Sequence, residues 1–253
     1  MLYPQVVEVA RSGAARRAGG RTGAPRVALV TGGSRALAHS VARRLARDGL
    51  AVAINDVGDS ASEVAGAIRE DGGLADAFSA DVTDEAQVAE LAAAIAGSLG
   101  PVEVLVLGAP DPQPETPLAA VAWEDHVAQL ELFVKRPVLL GRALLPGMTA
   151  RRSGRIVQVD AEVLERCVPG RTAFATAKGA QLGLIRSWAR ALAPLGITVN
   201  TVAPALVPGD ERAEVPAATH RAVAQAVSFV ASEAAASVTG QRIVVDGGRA
   251  LGG

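Results

Sequence analysis

Arg26-Val-Ala-Leu-Val-Thr-Gly-Gly-Ser-Arg-Ala-Leu-Ala38 is an apolar run, a glycine turn and the opening of a helix that runs to about Gly49. The run to Val30 reads as a strand buried on both faces. Glycine in the turn lets backbone approach a ligand, and the helix N-terminus offers unpaired N–H groups to an anion. This order of parts makes a dinucleotide site. Ala51-Val-Ala-Ile-Asn-Asp56 is the next strand. Asp56, about 20 residues past the turn, stands where an acid bonds a ribose 2′-hydroxyl. It can equally cap the turn that follows.

Outward from there, strand and helix patterns alternate. A helix is expected at about 60–71, a strand near 75–80 and a helix capped by Thr83 that runs to about Leu99. Strands follow at 102–107, 155–159, 197–204 and 242–248, separated by helices at about 123–148, 170–196 and 218–235. Pro137 is a candidate kink in the first of these helices. In the second, Ala177, Ala180, Leu184, Trp188 and Leu192 trace an apolar face, and Gly196 is placed to end it. The alternation predicts an α/β protein, a Rossmann-like doubly wound parallel sheet of about seven strands with helices on both faces. Residues 1–24 read as a flexible basic tail, with Arg11, Arg16, Arg17 and Arg21, and 25–253 as a single domain.

Composition narrows the function. A net charge of −1 gives no support for a nucleic-acid partner or an anionic membrane surface. No apolar run reaches the roughly 20 residues that span a bilayer. Cys167 is the single cysteine, so no internal disulfide forms. No metal-ligand cluster is read, and a cytoplasmic location is expected. The chain has one tyrosine, Tyr3, and two lysines, Lys135 and Lys178, among 25 basic residues.

Thr31-Gly-Gly-Ser-Arg-Ala-Leu-Ala38, Asp81-Val82, Phe174-Ala-Thr-Ala-Lys178, Val199-Asn-Thr-Val-Ala-Pro204 and Val238-Thr-Gly240 together resemble the classical short-chain dehydrogenase/reductases, of the 3-oxoacyl-carrier-protein-reductase type. The resemblance covers about 26–249. It implies the same doubly wound fold and a cofactor site at Thr31, Gly32, Arg35, Asp56, Asp81, Val82 and Lys178. Asp56 argues for NAD and Arg35 for NADP; a chain without cofactor is an equal alternative.

The resemblance also implies a tetrad, and here the chain departs from it. The family's tyrosine, serine and asparagine fall at Phe174, Ala161 and Phe133, and only Lys178 is kept. Ala36 and Ala38 replace two glycines of the turn, and Leu107-Gly-Ala-Pro110 replaces the family's Asn-Asn-Ala-Gly. The segment before Val238 is shorter than in relatives, at the place of their substrate lid. Phenylalanine exchanges no proton, and loss of a positioned acid forfeits about 10² to 10⁴ in rate. The leading expectation is therefore a non-catalytic subunit that supports an active relative in a hetero-oligomer, on acyl or polyketide-type intermediates. The alternative is a non-canonical enzyme. It is either an NAD(P)H-dependent reductase without the tyrosine acid or a cofactor-independent isomerase, dehydratase or cyclase, drawing on Lys178, Asp160, Cys167, His126 and Thr176. A third reading is a sensor that uses the cofactor site.

Overall fold

The computed structural model describes residues 24–33, 35–108, 115–160, 169–204 and 217–248. The tail, Ala109 and Pro110, Ala161, Cys167 and the segment that replaces the lid lie outside the described residues.

Seven strands form one parallel sheet: β1 (Val27–Thr31), β2 (Ala51–Asp56), β3 (Leu74–Ser79), β4 (Val102–Leu107), β5 (Gly154–Val159), β6 (Ile197–Pro204) and β7 (Arg242–Val245). Their spatial order is β3-β2-β1-β4-β5-β6-β7, with Val30 opposite Ile54 on one side and Val106 on the other. The helices are α1 (Ala36–Arg47), α2 (Ser60–Glu70), α3 (Glu85–Ser98), α4 (Trp123–Leu130), α5 (Arg136–Arg151), α6 (Thr172–Leu192) and α7 (Ala217–Ala231).

Alternate residues of each strand face opposite ways, so the central strands must be apolar throughout. Ala28, Val30, Val52, Val104 and Val157 pack beneath α1, α2 and α7. Val27, Leu29, Ala51, Leu105 and Ile156 pack beneath α3, α5 and α6. The doubly wound fold follows from these two cores. Strand order reverses between β1 and β4, and their carboxyl ends open a crevice of the kind that takes ligands in such sheets.

Several boundaries differ from the sequence reading. Thr83 does not cap α3. The Asp84 side chain accepts from the Gln87 N–H and does so, while the Thr83 hydroxyl donates to Asp81. The helix expected over 123–148 is broken by a π-helical turn, Glu131–Lys135. Pro137, the candidate kink, follows this π turn near the start of α5. The buried residues of α6 are Ala173, Phe174, Ala177, Lys178, Gln181, Ile185, Ala189 and Leu192. Ala180 is exposed, and Leu184 and Trp188 are half-buried. Two of the buried eight are polar, so an apolar count placed the stripe on the wrong flank. The helix does end where expected, with Gly196 left-handed at φ 73° after a short 3₁₀ turn.

Gly108 ends β4, and a Cβ there would run into the Thr31 carbonyl oxygen, which is backbone and cannot yield. Gly108→Ala is expected to cost about 1–3 kcal/mol of stability by overpacking. The check is a lower urea midpoint at unchanged slope.

Candidate active site

At the tip of β5 stands Asp160, 5% exposed, and from α6 Lys178 reaches it, 2% exposed. Lys178 Nζ donates to Asp160 Oδ1. It donates a second hydrogen bond to Gln181 Oε1 at 3.2 Å, from one turn further along α6. Phenylalanine rings cover the rest. Nζ lies 4.2 Å from the Phe133 centroid and 5.6 Å from that of Phe174. The two rings meet edge to face, 5.3 Å apart at 82°, a favoured aromatic geometry. Phe133 is presented by the π turn, and Phe133, Phe174 and Ala177 form an apolar cluster of their own.

Desolvation penalises the buried ammonium and pulls the Lys178 pKa below the usual lysine value. The charge and hydrogen bond of Asp160 oppose this, and the charges of Arg136 and Arg242 add to the lowering. A buried, contacting ion pair of this kind is costly to break one side at a time. The chemical content of the site is thus a buried ammonium held by a carboxylate and an amide oxygen and flanked by two aromatic rings.

Of the residues expected at the tetrad, Lys178, Phe174 and Phe133 do converge, and Asp160 joins them. Ala161 lies outside the described residues, as does Cys167. His126 and Thr176 are apart from the pair's hydrogen bonds and ring contacts. The His126 ring stacks on Trp123 and bonds the Ala122 carbonyl, and Thr176 donates to Thr172 O one turn back. Lys135 pairs with Glu131 at the surface. Gln181 and Arg136 escaped the sequence reading. Gln181 was signalled by its i+3 spacing from Lys178, and nothing in the spacing marked Arg136.

The crevice has the parts a dinucleotide requires. Gly32 turns at φ 75°, with the space where its Cβ would stand clear to 4.0 Å. The N-cap residue of α1, Arg35, makes no side-chain capping hydrogen bond to its first turn. His39 Nε2–H donates to Gly33 O at 2.5 Å and ties the turn to that helix. Thr31 Oγ1 accepts from Gly108 N at 3.1 Å and links the tips of β1 and β4. The Arg136 Nε is buried without a hydrogen-bond acceptor. Asp56 caps its own turn, accepting from Val57 N at 2.7 Å and Ser60 Oγ at 3.2 Å. Asp81 accepts from the Thr83 hydroxyl and N–H, which hold its carboxyl below the usual range. Asn55 donates to the Phe78 and Ala80 carbonyls and fixes the chain just before Asp81 and Val82.

The family model for short chain dehydrogenases matches residues 26–219, and the chain belongs to that family. It is 36% identical over 244 residues to the cis-4-hydroxycyclohexanecarboxylate dehydrogenase of Sinomonas cyclohexanicum, covering 90% of this chain and 98% of that one. It is 32% identical over 238 residues to the 3-oxoacyl-(acyl-carrier-protein) reductase of Vibrio cholerae, covering 88% and 96%. Among solved structures, a gluconate 5-dehydrogenase from Burkholderia cenocepacia, in complex with NADP and tartrate, superposes with a TM-score of 0.80. It is 28% identical, over 90% of this chain and 96% of that one.

These likenesses correct the leading functional expectation. Proteins matched over nearly their whole length are named dehydrogenases and reductases, and the structural neighbour holds NADP. The non-catalytic supporting subunit is set aside in favour of an enzyme. That expectation weighed the missing tyrosine and gave no weight to a carboxylate placed against the retained lysine.

Among the described residues, no helix is long and apolar enough to cross a membrane.

Proposed function

We propose that this chain is an NAD(P)-dependent oxidoreductase that interconverts a secondary alcohol and a ketone, with the Lys178–Asp160 pair in place of a phenol as its proton-exchanging group. The observation that carries the reading is the contact of Lys178 with Asp160 inside the Phe133–Phe174 cage. The names of the relatives support the reaction class, since each joins a hydroxyl or oxo group to an acid or acyl group, or is a gluconate dehydrogenase.

A bound nicotinamide supplies the hydride for reduction and accepts it in oxidation. Gly32, Arg35 and the N-terminus of α1 would hold its diphosphate, Thr31 would fix the floor, and Asp56 would bond the adenosine ribose. Asp81 and Val82 border the adenine. In reduction the ammonium of Lys178 gives one proton to the nascent alkoxide. Asp160 stabilises the charged form of the lysine beforehand, and solvent restores the proton afterwards. In oxidation the neutral amine takes the hydroxyl proton. The low-dielectric aromatic surroundings strengthen the electrostatics of the pair. Asp56 makes NAD the better ribose partner, because its charge opposes a 2′-phosphate.

Calorimetric titration with NADH and NADPH is the test. Binding tighter than about 100 μM is expected, roughly −5.5 kcal/mol, with NADH the tighter. No heat up to a few mM would remove the reading. The pH dependence carries its own sign. Reduction needs the protonated amine, so its rate is expected to fall as pH rises through the lowered lysine pKa. Oxidation needs the neutral amine and is expected to rise over the same interval. Identical profiles in the two directions would exclude lysine as the exchanging group.

A further inference from the structure

We infer that Arg136 is a binding residue for the diphosphate of the dinucleotide, supplying from α5 a second cation beside Arg35 of the turn before α1. The inference rests on the oxidoreductase reading above. Arg136 opens α5 directly after the π turn and is 6% exposed. Its Nη2 donates to the Gly108 carbonyl at 2.8 Å. Gly108 is the residue whose N–H bonds Thr31, and its Cα lies 4.0 Å from where a Gly32 Cβ would stand. The guanidinium therefore reaches the mouth of the β1–β4 crevice, beside the glycine turn.

A buried guanidinium ordinarily has a carboxylate partner, because an unpaired buried charge is expensive. Among the described residues no acid pairs with Arg136, and its Nε has no acceptor. Its nearest charged influence is another cation. Burial, and then the charge of Arg35, press its pKa down to about 10, so it stays charged at neutral pH. The buried guanidinium of Arg136 and the N-terminus of α1 meet at one crevice, to which Arg35 adds a second positive charge. A diphosphate supplies two negative charges and several acceptor oxygens at that place. Guanidinium suits it through its planar set of donors.

The test compares the wild type with Arg136→Gln and Arg136→Lys in calorimetric titrations of NADH and NADPH at low salt and at about 0.5 M salt, where charges are screened. Glutamine keeps a donor for Gly108 without the charge, and lysine keeps the charge without the fork. The expected result is binding about 10- to 100-fold weaker in the glutamine variant, a smaller loss in the lysine variant, and a gap that narrows at high salt. Circular dichroism verifies that both variants are folded; if glutamine unfolds the chain, the lysine variant and the salt series of the wild type carry the test. Equal affinity in folded variants, or a wild-type affinity indifferent to salt, overturns the role of Arg136 alone. A wild type that binds neither dinucleotide overturns the oxidoreductase reading itself.

Discussion

Lys178→Met is expected to lower both stability and turnover, and by separable amounts. Methionine removes the ammonium and leaves the Asp160 carboxylate buried with its main partner gone. Stranding one member of a buried pair costs about 3–5 kcal/mol. The same change removes the proton donor, so turnover of a ketone at saturating cofactor should fall by about 10² to 10⁴. Asp160→Asn added to Lys178→Met removes the stranded charge. The double variant is expected to regain most of the stability and none of the turnover. Urea denaturation and steady-state reduction of all three proteins check this. A single variant that turns over like the wild type would dismiss the lysine. Recovery of turnover along with stability would make the pair a structural brace.

Phe174→Tyr is expected to act in the opposite direction. The ring already stands beside the amine, 5.6 Å from Nζ to its centroid. A hydroxyl on it would add a second acid whose pKa the adjacent ammonium lowers. A positioned acid contributes about 10² to 10⁴, so a gain of that order in ketone reduction is the predicted result. A phenol hydroxyl buried without a partner costs about 1–3 kcal/mol, and the lysine offers that partner. Stopped-flow oxidation of the nicotinamide, read by its absorbance, measures the gain. No gain, with the fold intact, would mean that substrate does not approach this edge of the cage.

The fold was legible because its determinants are local. Arg26 to Ala38 carries strand, turn and helix in consecutive residues, and strand–helix alternation leaves few alternatives to a parallel sheet. Lys178, Phe174 and Phe133 were legible as positions through the family resemblance, and for the first two the four-residue spacing on one helix agrees with it. The contact between Asp160 and Lys178 was not. It joins a strand tip to a helix 18 residues away, and no periodicity encodes which loop residue meets which helix. Arg136 was hidden for another reason. A charge in the first turn of a helix normally points to water, and only the tertiary fold turns this one back to Gly108. The stripe on α6 was misplaced because Lys178 and Gln181, which are buried, count as polar in an apolar pattern. Each miss has the same origin: burial of a polar group is decided by partners that sequence spacing does not name.

The π turn at Glu131–Lys135 makes spacing, as well as chemistry, part of this site. A π turn acts as an extra residue within a helix, and each residue of an α-helix advances the azimuth by about 100°. Phe133 and Arg136 owe their bearings, one into the aromatic cage and one into the crevice, to that local unwinding. A substitution at either position changes one letter. Deletion of a single residue between Trp123 and Arg136 would rephase both together, carrying the guanidinium away from the strand tip. The stretch can therefore drift in composition while its length is held fixed. Relatives that share the count but differ in the residues would be variations on one site, and those that differ in the count would have a different one.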